Sequence, residues 1–349
     1  MSNFLGRNFR IMTFGESHGP ALGVVIDGLP AGVRLSPRAI QKDLNRCRPI
    51  RSIFSSQRQE ADEAEVLSGL TADKHTNGAP LAIMIRNKDV NGDISGSEKF
   101  RSSHSDWSYQ VKYGLKPQPG GGRYGGRETI ARVAAGAVAR EILSPLGLMA
   151  QAYTVGIGEI KAENLDPDFA EKDPLRFADR ALARQAHQEV EKAMSEGDSL
   201  GSVLEIQVSG VPAGWGEPVF DKLDARLGGS FFSIGGVKAV EFGEGLALAR
   251  QKDSQANDPL GPDGPLSNRH GGVMGGLSTG LPIVARLFVK PPPSVALEQR
   301  NLNISERQTN TFNSGGHDPC LAPGLVPVAE AMALICLADL YLEPNRKSS

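Results

Sequence analysis

Cysteine is scarce: three residues (Cys47, Cys320, Cys336) in a chain of 349 are too few and too scattered for a disulfide framework or a zinc site. Neither sign of charge dominates. With 38 Lys and Arg against 40 Asp and Glu, the formal net charge is −2, so no basic field exists to draw nucleic acid or an anionic membrane surface. Neither is expected as a partner. The opening MSNFLGRNFR lacks the apolar run of a signal peptide, and no stretch reads as long enough to span a bilayer. A reduced, cytoplasmic protein is the expectation. Aromatic residues are also few, at 6%.

What is abundant is glycine, with 41 residues in a non-repetitive chain, which means many tight turns and close backbone approaches. The length fits two domains or one large one, and 40% hydrophobic residues suffice for a sizeable core. Ser36-Pro37 reads as an N-cap and first-turn proline opening a helix to Arg46. Further helices are expected over Thr129–Leu143, Arg176–Met194 and Pro327–Leu342, and strands over Ala21–Ile26, Leu81–Ile85, Val203–Val208 and Ile283–Val289. Residues 251–266 and 300–314 lack apolar periodicity and read as exposed loops, and the tail after Glu343 as frayed. VVIDGLPAG at 24–32 and IQVSGVPAG at 206–214 look alike, each a strand-like run followed by a Gly-x-Pro-Ala-Gly turn and a helix, the second near 217–227. The pair is compatible with an internal duplication, halves near 1–150 and 151–342, and equally with chance recurrence of one turn type.

GESHG at 15–19 matches the Gly-x-Ser-x-Gly of a serine-hydrolase elbow, but a strand-like ALGVVI follows where that motif demands a helix. His18 is the better candidate there. A turn histidine suits proton transfer near neutrality, and equally suits a purely structural hydrogen bond. GGGRYGGRET at 120–129 contains Gly120-x-Gly122-x-x-Gly125 without the preceding strand or following acid of a dinucleotide fold. What remains is a glycine-rich loop running into a helix N-terminus, a place that favours an anion, with Arg123 and Arg127 adding positive charge. NRHGGVMGGLSTG at 268–280 and VKPPPS at 289–294 bracket a strand, and GGHDPC at 315–320 sets His317 and Asp318 before a helix. Two adjacent ligand types are too few for a metal. His104 lies in RSSHSDW, whereas His75 and His187 read as ordinary surface residues.

Taken together and in this order, TFGESHG, GGGRYGGRET and GGHDPC resemble the three signature regions of the chorismate synthase family, and DGLPAG, DLNRCRP, QRQEADEAEVLSG, GDSLGS and SGVPAGWGEPVFDKLDA fit between them. The resemblance covers nearly the whole chain. It implies an α+β fold, a β-α-β sandwich of two similar halves related by a pseudo-twofold, in a single large domain that assembles as a homotetramer. It implies an anti-1,4-elimination of phosphate from 5-enolpyruvylshikimate 3-phosphate, a small anionic substrate, with reduced FMN. His18, His104 and Asp318 would be catalytic, and Arg48, Arg101 and Arg127 would hold the substrate's anionic groups. FMN would meet Arg123, Tyr124, Gly125, Gly235, Gly236, Gly275, Lys290, Pro291, Pro292, Pro293, Ser294 and Gly316.

The chain departs from the family pattern at Cys47, Ile53 and Gly316, where arginines are usual, at Tyr124-Gly125-Gly126 in place of Ser-Ser-Ala, and at Ser102-Ser103 before His104. Arg46, Arg48 or Arg51 could replace the missing charge. Two readings follow: a working synthase with a rearranged anion clamp, or a family member with lost or changed activity that keeps the fold for binding or assembly.

Overall fold

The computed structural model describes residues 3–47, 54, 60–90, 99–115, 118–303, 309–312 and 318–344. Strands β1 (Phe4–Leu5), β2 (Arg10–Gly15), β3 (Ala21–Asp27), β4 (Ala64–Ser68) and β5 (Leu81–Arg86) form one antiparallel sheet, in the order β1-β2-β3-β5-β4. A second antiparallel sheet is built from β6 (Met149–Ile157), β7 (Ile160–Lys161), β8 (Ser202–Ser209), β9 (Val237–Phe242) and β10 (Ile283–Val289), in the order β9-β10-β8-β6-β7. Strand β10 shows why one face of each sheet is dry: Ile283, Ala285, Leu287 and Val289 are buried at every second position, the period of a strand with one face on the core.

Four of the six longer helices, the first, third, fifth and sixth in chain order, pack on one another between the sheets. The six are α1 (Pro37–Cys47), α2 (Asp106–Tyr113), α3 (Thr129–Leu143), α4 (Ala183–Ser195), α5 (Leu223–Phe232) and α6 (Ala322–Tyr341). Helix α3 packs on β3 and α6 on β6, while α3 and α6 pack on each other, giving the α+β sandwich. Gly136 lets those two helices touch, because a Cβ there would lie 2.4 Å from the Cβ of Ala331. Helix α6 is long and apolar enough to cross a membrane, contrary to expectation, with a mean hydropathy of 1.6, but it is 89% buried as the central core helix. Its two acids are neutralised. Glu330 is bonded by Arg46 and Arg140, and Asp339 accepts the backbone N–H groups of Arg7, Asn8 and Phe9.

The two look-alike segments adopt the same turn bond for bond. Gly32 and Gly214 each donate to the carbonyl of a hydroxyl residue, Thr76 and Ser278, at 2.8 Å. Each hydroxyl accepts from the next N–H (Val33, Trp215) and donates at 2.5 Å to the proline carbonyl (Pro30, Pro212). Strands β3 and β8 are each the central strand of their sheet, and α1 and α5 follow them.

Several expectations need correction. Helix Arg176–Met194 begins only at Ala183, because Arg176 takes a positive φ of 51° and Phe177 bridges to Thr154. Asp179 then collects the N–H groups of Ala181 and Leu182 ahead of the helix. Helix α5 begins at Leu223 rather than near 217, where Glu217 and Asp221 form a bridge instead. Helix α6 begins five residues before Pro327 and carries that proline inside it. Within 251–266 lie a short helix, Asp253–Ala256, and a hairpin of Leu260–Gly261 with Gly264–Pro265. The segment 300–314 contributes to strands Gln299–Asn303 and Thr309–Phe312, which pair with each other. His187 is half-buried, bonded to Asp173 at 2.7 Å and tilted against Phe54. The chain after residue 344 lies outside the described residues.

Candidate active site

GESHG forms a strand–turn–strand: β2 ends at Gly15 and β3 begins at Ala21. No nucleophile elbow exists there, and the turn presents His18. Its imidazole lies against the glycine-rich loop. A Cβ on Gly120, which has a φ of +61°, would fall 2.7 Å from the ring, so only glycine allows this approach. Ser17 N–H donates to Gly122 O at 3.1 Å, and a Cβ on Gly125 would strike Ser17 Oγ at 2.0 Å. The loop's glycines are therefore shaped by the His18 turn itself. Nδ1 of His18 is buried without a hydrogen-bond partner among the described residues, and the Asp89 carboxylate stands 3.6 Å away.

Arg127 sits beside this turn, its side chain only 9% exposed, with Nη2 on Asp62 at 2.6 Å and Nε on the Asn87 amide oxygen at 3.1 Å. Arg123 does not supply free positive charge to the loop. It donates to the carbonyl and hydroxyl of Thr13 and pairs at 3.2 Å with Glu128, a buried acid at the start of α3 that Arg132 also binds. Helix-dipole and positive charge here meet a carboxylate of the chain's own.

On the other side stands a second group. Asp106, fully buried at the first turn of α2, takes a bidentate pair from Arg101 at 2.9 Å and 2.9 Å and the Tyr124 hydroxyl at 2.9 Å. Burial alone would raise the Asp106 carboxyl, but the Arg101 bonds outweigh it and hold the group below the ordinary carboxylate range. The Tyr124 ring lies 4.9 Å from that of Tyr109 on the same helix, so Tyr124 ties the loop to α2.

His104 is close by. Its Nδ1 lies 2.9 Å from the Ser102 carbonyl and so carries the proton, leaving Nε2 to accept from Ser294 Oγ at 3.3 Å. Burial and the Arg101 guanidinium hold its pKa below the usual histidine value, so it is neutral at physiological pH. Lys290 Nζ donates to Ser103 O at 2.9 Å, and Lys290 N–H donates to Gly236 O at 2.9 Å. The Pro292 carbonyl accepts from Ser199 Oγ, and the Pro319 carbonyl from Leu200 N–H, which draws Pro291–Ser294 and Asp318 to one end of the second sheet. Asp318 Oδ1 is buried with no hydrogen-bond partner among the described residues, and burial pushes its carboxyl above the ordinary range.

The fold thus groups His18 with Arg127, Gly125 and Arg123. It groups His104 with Arg101, Lys290, Ser294 and Gly236, and Tyr124 links the two groups. Gly235 precedes Gly236 at the head of β9, and nothing lies within 4 Å of where its Cβ would stand. Gly275 caps a separate hairpin, Val273–Met274 with Leu277–Ser278, beside the start of α5. Arg48, Arg51, Ile53, Gly316 and His317 lie outside the described residues. Arg46 does not supply the missing charge, because Nε, Nη1 and Nη2 of its guanidinium are all bonded to Glu171 or Glu330. Cys47 is half-buried against the core, and desolvation pushes its thiol up to about 12, so it is an unreactive packing residue. Asn87, Asp62, Asp106 and Glu128 were not legible as site residues. The only signals were a polar Asn-x-Asp directly after an apolar strand and an acid at a helix start.

A family model described as Chorismate synthase matches residues 9–342. The chain is 48% identical over 341 residues to the chorismate synthase of Syntrophobacter fumaroxidans, covering 97% of each chain. It is 46% identical to that of Methanococcoides burtonii, over 97% of this chain and 95% of the relative. A crystal structure of a chorismate synthase superimposes with a TM-score of 0.78 at 30% identity, over 97% of this chain and 93% of the other. With matches of that extent in both sequence and fold, the chain belongs to the chorismate synthase family.

Proposed function

We propose that this chain converts 5-enolpyruvylshikimate 3-phosphate to chorismate and phosphate by anti-1,4-elimination, with reduced FMN as cofactor. Two observations support the proposal: His18 and His104 stand in two groups joined through Tyr124, and Asp318 holds a buried carboxyl oxygen with no hydrogen-bond partner among the described residues. In the reaction one C–H and one C–O bond break and one C=C bond forms, with no net redox change. His18, partly exposed in the turn that Asn87 ties to Arg127, donates a proton to the departing phosphate. Arg127 and Arg101, already oriented by Asp62 and Asp106, hold the substrate's anionic groups. Asp318 accepts the ring proton. Its raised carboxyl suits a base that must not stay tied up in hydrogen bonds of its own.

The residues around Asp318 fit a flat, polar cofactor. Asp318 Oδ1 is an acceptor with no donor among the described residues, the space at Gly235 is open, and Gly236, Lys290–Ser294 and neutral His104 would hold FMN. Reduced FMN, when bound, supplies an electron-rich ring that lends an electron and takes it back. Arg123, Tyr124 and Gly125 contribute by shaping the loop, since their own bonds run to Thr13, Asp106 and the Ser17 turn. A cytoplasmic homotetramer is part of the proposal. Exposed apolar side chains at Val219, Phe220, Leu260 and Leu266 support an assembly that covers them. Phosphate release from the substrate, dependent on reduced FMN, tests the function; no release under those conditions refutes it.

A further inference from the structure

Asn87 follows strand β5 and is buried, and its side chain is bonded at both ends. Nδ2 donates to Gly19 O at 2.7 Å and Glu16 O at 3.1 Å, with Ser17 O at 3.4 Å. Oδ1 accepts from Arg127 Nε at 3.1 Å, and the backbone N–H donates to Pro20 O at 3.1 Å. One residue therefore ties four carbonyls of the turn from Glu16 to Pro20, and His18 is the residue at the middle of that turn. Only an amide can do this. It donates to carbonyls at one end while accepting from a guanidinium at the other, which neither a carboxylate nor a hydroxyl of this reach can do. Arg127 is fixed from its far side by Asp62 at 2.6 Å.

We propose that Asn87 is a positioning residue that holds His18 and Arg127 at a fixed separation, so that an anionic group seated on the arginine brings its leaving oxygen to the proton donor. The inference rests on the roles given above to His18 and Arg127. Displacement of a reacting group by about 1 Å can cost on the order of a hundredfold in rate, which sets the scale of the effect.

Asn87→Asp keeps the size and the acceptor toward Arg127 but turns a lone pair toward the carbonyls of residues 16, 17 and 19. It should lower kcat by roughly thirtyfold or more and leave KM within about threefold. Asn87→Ala also releases Arg127 and should raise KM as well; if it fails to fold, Asn87→Asp carries the test alone. In a His18→Ala background Asn87→Asp should lower turnover by less than about threefold further, because the donor it positions is gone. A merely structural role predicts the full loss in both backgrounds, and that result overturns the proposal. So does a kcat for Asn87→Asp within threefold of the parent. A readout without turnover keeps this separate from the functional reading: the Cε1–H resonance of His18, assigned by its loss in His18→Ala. It should shift or broaden in Asn87→Asp while those of His187 and His270 stay in place. If the parent chain releases no phosphate, the proposed function fails; the positioning claim then fails only if the His18 resonance is unmoved.

Discussion

Replacing Asp106 by Asn tests whether the second group of site residues is held by charge. The carboxylate is fully buried and accepts four bonds: Arg101 Nε and backbone N–H on Oδ2, Arg101 Nη2 and the Tyr124 hydroxyl on Oδ1. Asparagine keeps the volume and one acceptor, but its NH2 meets the Arg101 N–H donors head on. Breaking a buried pair by removing one partner costs about 3–5 kcal/mol, and the Arg101 side chain, 29% exposed, recovers part of that from water. A loss of about 2–3 kcal/mol is expected, read as a lower urea midpoint with unchanged slope. The pH dependence is the sharper check. Asp106 titrates below its unfolded value, so its contribution is present above about pH 4 and is lost as the pH falls through the lower folded value. The stability gap between parent and Asp106→Asn should therefore be constant from pH 8 to about 5 and close in more acid solution. A gap below 1 kcal/mol, or one as large at pH 3 as at pH 7, would refute the reasoning, since only a charged carboxylate predicts the closure.

Asp318→Asn should raise the melting temperature near pH 7 while abolishing turnover, because burial penalises the charged carboxylate and the amide carries no such cost. Its advantage should shrink as the pH falls through the raised folded value and vanish below the ordinary carboxylate range, where the parent's Asp318 is neutral in both folded and unfolded states; a lower melting temperature at pH 7 contradicts this. Gly136→Ala, which drives a methyl group into Ala331 between two core helices, should cost about 1–3 kcal/mol in urea unfolding. An unchanged midpoint would mean that α3 and α6 are not in contact.

The parts of the fold that sequence made legible are those where local pattern and burial agree. Helix Thr129–Leu143 and strand Ile283–Val289 fall on the expected bounds, because each is apolar along its buried surface and flanked by clear turn residues. The repeated Gly-x-Pro-Ala-Gly showed two matching turns, but not the Thr76 and Ser278 hydroxyls that close them, since these lie some 46 and 66 residues downstream of Pro30 and Pro212. Arg176 defeated the helix reading because its positive φ is enforced by contacts, with Glu171 and the Arg46 carbonyl, that no local pattern encodes. At the site, histidines and glycines stood out by residue type. The carboxylates and amide that orient the arginines did not, because Asp62, Asn87 and Asp106 gain their meaning only from partners that the fold brings to them.

The central claim is that this chain performs the family's elimination with its own histidines and Asp318, despite cysteine, isoleucine and glycine at 47, 53 and 316. The most direct measurement is phosphate release from 5-enolpyruvylshikimate 3-phosphate under anaerobic conditions with reduced FMN, for the parent chain and for His18→Ala. The account predicts catalytic turnover by the parent, none without reduced FMN, and a rate lower by roughly 10²–10⁴ in the variant. No release by the folded parent, or equal release by parent and His18→Ala, would contradict it.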